Sequence, residues 1–284
     1  MTAPPASDPM FSIVILTLNE EQNLPATLAS IRDCDDIVVL DSGSTDRTHQ
    51  IARAAGARVV VNRFENFGQQ RNFAHTDIPF HHDWVFHLDA DEQFTPELFA
   101  ECVRLSSENP PALDGFFVAP RMIFRDRWIP RCTDFPAYQA RFAHAKRFRF
   151  IQTGHGQREA PDMRLGKIQA NYLHNLSAQS ESELLDKHLR YARQEAAAFL
   201  ARATDPAPLN RRIRSADPLI RRRALKELSH HFPARGFLRF LYQYIARRGF
   251  LDGAPGFAYC RIMAKYEHWV SQEIHRQRRA RAST

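Results

Sequence analysis

The chain has 284 residues, with 39 Lys and Arg against 32 Asp and Glu, and is 44% hydrophobic and 25% charged. That composition fits a globular protein with one large core, or one core and an appended unit. No apolar run approaches the roughly 18 residues of a membrane-spanning helix. Cys34, Cys102, Cys132 and Cys260 show neither close pairing nor ligand spacing, which excludes a disulfide framework or zinc site and implies a reducing compartment.

In chain order, residues 1–10 are Pro- and Ala-rich without an apolar core and are expected to be disordered. A strand then runs from Phe11 to Thr17, followed by a helix over Leu24–Ile31, a strand at Ile37–Leu40 and a helix at Thr45–Ala55. A strand at Arg58–Val61, a helix from Gly68 to about Thr76, a strand at Trp84–Leu88 and a helix at Pro96–Leu105 complete the alternation, which predicts a mostly parallel sheet. From about Asp114 the segments become extended and aromatic, at Gly115–Phe124, Gln139–Phe142, Arg149–Thr153 and Ile168–Tyr172, as in an antiparallel or mixed extension. Helices are expected from Ser180 onward, over Pro218–Leu228, over Gly236–Arg248 and from about Gly256 to Arg278. This C-terminal region is basic: residues 201–284 hold 18 Lys and Arg against 6 Asp and Glu, while residues 1–200 hold 21 against 26.

The strands ending at Thr17, Leu40 and Leu88 each run into a polar corner: Thr17-Leu18-Asn19-Glu20, Asp41-Ser42-Gly43-Ser44-Thr45-Asp46, and Asp89-Ala90-Asp91-Glu92. The C-terminal rim of such a sheet is where α/β folds keep their ligands. Two carboxylates one residue apart can serve one hard cation, and a divalent cation is a natural clamp for a diphosphate.

With those three segments and Gly68-Gln69-Gln70-Arg71-Asn72 in this order, the chain resembles family 2 inverting glycosyltransferases of the GT-A fold, within the branch of lipopolysaccharide-core and exopolysaccharide transferases. Gly154-His155-Gly156-Gln157-Arg158-Glu159, Tyr172-Leu173-His174 and Gly249-Phe250-Leu251-Asp252-Gly253 extend the likeness. The resemblance implies an α/β catalytic domain over 11–178, with a nucleotide-sugar half (11–110) and an acceptor half (111–178), and a basic helical extension over 179–284. It implies a nucleoside-diphosphate sugar donor, with UDP the expected nucleotide, bound by Thr17, Asn19, Glu20, Asp41, Arg71 and Asp89. A Mg2+ or Mn2+ ion would be held by Asp91, Asp89 and His174, and the base would be Glu159 or His155. Trp128, Arg131 and Tyr138 fall in the segment expected to face a glycan or lipid-linked acceptor. The arginine-flanked aromatic stripe over Phe237–Ile245 fits either an anionic membrane surface or docking on the protein itself. A cytoplasmic or peripheral enzyme follows. The alternatives are a sugar-1-phosphate nucleotidyltransferase, which shares the sheet but usually has a glycine-rich first corner, and a nucleic-acid-binding protein using the basic tail. The first corner lacks glycine, and a Gly-x-Gly-x-x-Gly dinucleotide fingerprint is absent.

Overall fold

The computed structural model describes residues 11–110, 112–153, 156–177, 181–201, 208–229 and 234–282; segment 1–10 and His155 lie outside the described residues. Two compact units emerge: residues 1–128 with 134–178, and residues 129–133 with 179–284.

In the first unit the strands β1 (Ser12–Thr17), β2 (Ile37–Asp41), β3 (Arg58–Val61) and β4 (Trp84–Asp89) alternate with helices α1 (Leu24–Ser30), α2 (Thr48–Ala54) and α3 (Phe67–Asp77). The order β3-β2-β1-β4 is wholly parallel. Helices cover both faces of such a sheet, which is why β1, β2 and β4 are almost continuously apolar. Helix α3 starts where the Asn66 side chain accepts the Gln69 N–H at 2.9 Å. Helix α4 (Pro96–Glu108) starts at Thr95, with Pro96 in its first turn, and ends at Asn109, whose φ of 35° is left-handed. Asn109 Oδ1 also accepts the Trp84 indole N–H at 3.0 Å, tying the helix end to β4.

Beyond β4 the sheet becomes mixed, adding β5 (Glu92–Gln93), β6 (Gly115–Phe124), β7 (Arg127–Trp128), β8 (Gln139–His144) and β11 (Leu165–Asn175). The full order is β3-β2-β1-β4-β8-β6-β11-β5, with β7 paired to β6. Aromatic side chains weld the junction: Trp84 stacks on Phe142 at 5.1 Å and Phe86 meets Phe94 edge-on at 4.5 Å. Each buried ring contributes on the order of 1.5–3 kcal/mol. Strands β9 (Phe150–Thr153) and β10 (Gly156–Glu159) form a separate hairpin seated on α3. The seat requires Gly68, since a Cβ there would lie 2.9 Å from the Gln152 backbone nitrogen. Asn72 clasps Phe150 from both sides, Nδ2 donating to its carbonyl at 2.9 Å and Oδ1 accepting its N–H at 2.8 Å.

The second unit holds α5 (Glu181–Ala201), α6 (Leu209–Ile213), α7 (Pro218–Ser229), α8 (Arg235–Leu241) and α9 (Gly253–Ala282). Helices α5 and α9 meet through Ala192, Ala196, Val270 and Ile274. The helix expected over Gly236–Arg248 is α-helical only to Leu241 and then widens into a π-helical turn, Tyr242–Ala246. The widening is closed by an i to i−5 bond, Arg247 N–H to Tyr242 carbonyl at 2.8 Å, and secured by Gln243 Nε2 donating to the Cys132 carbonyl at 2.7 Å.

Candidate active site

Thr17 and Asp41 are register partners at the ends of β1 and β2. The pairing lets Thr17 Oγ1 donate to Asp41 Oδ1 at 2.7 Å. Asp41 is fully buried and accepts three further bonds, from Gly43 N–H (2.8 Å), Ser44 N–H (2.7 Å) and Ser44 Oγ (2.5 Å), while His49 Nε2 lies 2.8 Å from its Oδ2. Burial works against its charge, but the Ser44 hydroxyl and N–H, then Thr17 and His49, outweigh it and hold Asp41 down at about 2. Its carboxylate is therefore spent on shaping the Ser42–Ser44 turn. Asn19, in the left-handed region at φ 56°, links the neighbouring corners: its N–H donates to Ser44 Oγ at 2.7 Å and its Oδ1 accepts the Thr45 N–H at 2.8 Å. The Glu20 N–H donates to Thr48 Oγ1 at 2.8 Å, and its Oε2 accepts from Asn23. All four rim residues expected from sequence thus come together, as a braced polar edge.

At the end of β4, Asp89 sits between two buried guanidiniums. Arg71 Nη2 donates to Asp89 Oδ1 at 2.7 Å and Arg141 Nη2 to Asp89 Oδ2 at 2.9 Å. Arg71 is 1% exposed, and its Nε and Nη1 find no partner among the described residues. Arg141, 3% exposed, also bonds Glu92 Oε1 (2.7 Å), the His87 carbonyl (3.2 Å) and Gln139 Oε1 (3.1 Å). Glu92 Oε2 in turn accepts the Asp89 N–H at 2.9 Å. Burial pushes Glu92 up, to about 7, while the attraction of Arg141 and Arg71 overcomes burial at Asp89 and holds that carboxyl well below the usual range. Two carboxyls sharing one guanidinium titrate apart.

Strand β5 pairs His174 with Glu92, which brings the β11 imidazole beside the acidic turn. His174 Nε2 lies 3.4 Å from Asp91 Oδ2, and Nδ1 lies 3.7 Å from Glu92 Oε1. Burial lowers the imidazole's basicity, but the bond to Asp91 and the surrounding carboxylates raise it to about 8. Among the described residues no group of three or more His, Cys, Asp and Glu side chains is arranged as a metal site. One carboxylate and one imidazole, with Asp89 committed to arginines, still fit a hard divalent cation that takes the rest of its shell from water and phosphate oxygens.

Glu159 closes the β9–β10 hairpin opposite Phe150, whose ring lies 6.0 Å from the Arg71 guanidinium carbon and 4.9 Å from the His87 ring. No hydrogen bond or ion pair joins Glu159 to the cluster among the described residues. Trp128 and Tyr138 are partly exposed, with Arg121 and Lys167 over their rings. Sequence reasoning missed Arg141 and Glu92. The available signal was an arginine between Ala140 and Phe142 on an apolar strand, since a buried cation requires a carboxylate.

A mixed sheet flanked by helices, with acids and polar turns along the C-terminal rim of its parallel half, defines an α/β enzyme of the GT-A type. The family model "Glycosyl transferase family 2" matches residues 12–166, more than half of the chain, which therefore belongs to that family of glycosyltransferases. The chain is 38% identical over 122 residues to an uncharacterized glycosyltransferase of Rickettsia bellii (strain RML369-C), covering 42% of this chain and 41% of that protein. It is 32% identical over 127 residues to the lipopolysaccharide core biosynthesis glycosyltransferase LpsC of Rhizobium meliloti (strain 1021), covering 39% and 46%. The matched region spans less than half the length of either curated relative. Among solved structures, Staphylococcus aureus TarS 1–349 is similar over 94% of this chain and 91% of that one, at 16% identity and a TM-score of 0.43. Mycobacterium tuberculosis glucosyl-3-phosphoglycerate synthase, in complex with Mn2+, UDP and glucosyl-3-phosphoglycerate, covers 43% and 50% at 23% identity and a TM-score of 0.33.

Proposed function

We propose that this glycosyltransferase moves a sugar, with inversion, from a nucleoside-diphosphate sugar carrying uridine to a hydroxyl of a lipopolysaccharide-core glycan or a lipid-linked exopolysaccharide. The observation that carries the reading is the approach of His174 to Asp91 beside the Arg71–Asp89–Arg141 cluster, on the rim of a family 2 sheet. The relative named for lipopolysaccharide core biosynthesis supports the acceptor class.

In this reading Thr17, Asn19, Glu20 and Asp41 form the edge against which base and ribose lie, Asp41 acting through the turn it holds. Arg71 and Arg141 fix Asp89 toward the ribose. Asp91 and His174, with Asp89 beside them, would hold Mg2+ or Mn2+, and the cation would supply stabilisation of the charge on the departing diphosphate. To serve as a ligand, His174 would have to give up the proton that the neighbouring carboxylates favour. Glu159 takes the proton of the attacking hydroxyl, with His155 the rival. The enzyme works at the cytoplasmic face of the inner membrane, where the basic C-terminal region meets anionic lipid; among the described residues no helix is long and apolar enough to cross a membrane. The test offers a panel of nucleoside-diphosphate sugars with lipopolysaccharide-core acceptors and reads the product's anomeric configuration by NMR. Transfer with inversion, abolished in Glu159→Gln, supports the reading, and transfer with retention overturns it.

A further inference from the structure

Helix α8 and its π-helical turn carry large apolar residues on two sides, only one of which is covered. The side facing α9 combines a small residue, an ion pair and two aromatic rings: a Cβ on Gly236 would lie 2.5 Å from the Ala264 carbonyl, buried Arg235 pairs with Glu267 at 2.6 Å, and Phe240 and Tyr244 meet Phe257 of α9 at 5.9 and 5.5 Å. Buried Gln243 donates to the Cys132 carbonyl. Phe237, Leu238, Tyr242 and Ile245 instead line the outer side, with Phe237 62% and Ile245 58% exposed. Docking on α9 therefore uses Phe240 and Tyr244 and leaves these four uncovered, where an amphipathic helix packed on its own domain would have a polar outer face. The following turn continues the surface with Phe250 and Leu251, each about half exposed. Tyr244 bridges the two segments, its ring 6.2 Å from Phe250.

The charge around this face is of one sign. From Leu228 to Leu251 there is no Asp or Glu, while Arg239, Arg247 and Arg248 fall within it, in addition to the buried Arg235 that Glu267 neutralises. Asp252, the next acid, is buried and accepts the N–H groups of Arg131 and Cys132. Arg248 is exposed, and among the described residues no carboxylate pairs with it. Exposed apolar and aromatic residues bordered by arginines without acids are complementary to a surface that is hydrocarbon below and anionic above.

We infer that the outer face of α8, its π-helical turn and the Phe250–Leu251 tip form an interfacial membrane-docking surface for anionic bilayers, the apolar side chains entering the acyl boundary and the guanidiniums meeting lipid phosphates. The inference rests on the membrane part of the function proposed above, and assigns that part to named residues. It is independent of the donor chemistry.

Flotation of the full chain with phosphatidylcholine vesicles, with and without phosphatidylglycerol, tests it. The parent chain floats with the anionic vesicles at low salt. The double variant Phe237→Glu/Ile245→Glu, altering two exposed side chains, loses roughly a hundredfold in partitioning, and Arg248→Ala loses roughly fivefold. Circular dichroism and nucleoside-diphosphate titration, run on the same samples, report whether the variants are folded and whether the donor site works. Vesicle binding lost with the nucleotide response unchanged supports the inference, whatever the donor proves to be. No binding of the parent chain, equal binding to neutral vesicles, or binding indifferent to the double variant overturns it. So does a dimer in sedimentation that the double variant splits without any vesicle binding, because the face would then serve a second copy.

Discussion

Replacing Arg141 by Met keeps much of the side-chain volume and removes the guanidinium shared by Asp89 and Glu92. Four hydrogen bonds disappear, to Asp89, Glu92, the His87 carbonyl and Gln139. Glu92, with no exposed surface, is left buried without its cation. Removing one partner of a buried ion pair costs about 3–5 kcal/mol, which lowers the melting temperature of a unit this size by about 10 °C. The loss is pH-dependent. Glu92 already has a folded pKa above its ordinary value of 4.5, so its protonated form favours the fold and that contribution is lost as pH rises from there toward about 7. Without Arg141, the largest influence lowering it, the carboxyl rises further, and the variant's deficit shrinks between pH 8 and pH 5.5. Thermal melts followed by near-ultraviolet circular dichroism at both pH values measure this, and Glu92→Gln in the Arg141→Met background should restore at least ~1 kcal/mol by removing the stranded charge. A deficit below about 1 kcal/mol, independent of pH, would refute the shared-guanidinium account.

Asp41→Asn should cost about 2 kcal/mol at neutral pH, from the fall of its pKa from 3.8 to about 2. Because that pKa is depressed, the contribution is present above pH 4 and lost as pH falls through about 2, so an acid titration of parent and variant should converge there. Binding of Mn2+ should strengthen as pH rises toward 8, where His174 gives up its proton; a flat calorimetric profile would speak against that ligand. All four cysteines are buried, and burial pushes Cys34 up to about 12, so a thiol reagent should label none of them in the native protein and four after unfolding. Gly236→Ala should destabilise the second unit by about 1–3 kcal/mol through its clash with the Ala264 carbonyl; an unchanged melt would show that α8 and α9 can move apart.

The alternation that predicts β1 to β4 and their helices is legible because each element is long enough to carry a period. Strands β5 and β7, two residues each, and α6, five residues, are too short for that. Thr17, Asp41, Asp89 and Asp91 could be read as rim residues from their position after apolar runs. Their partners could not. Arg141 reaches Asp89 only because β8 runs antiparallel to β4, with Phe142 opposite Phe86. His174 reaches Asp91 because the two-residue β5 pairs with β11. Helix α8 makes the same point for surfaces: periodicity identifies the apolar stripe at Phe237–Ile245 but not which of its members are covered, and the structure packs Tyr244 on Phe257 of α9 while leaving Phe237, Leu238 and Ile245 exposed.

The most direct test of the donor site is a calorimetric titration with UDP, GDP, CDP and dTDP, with and without Mg2+ or Mn2+, on the parent chain and on Asp91→Ala. The account predicts that UDP binds in the presence of the cation, and that the cation-dependent part is lost in the variant. Binding that ignores both the cation and Asp91, or no binding of any of the four, would contradict it.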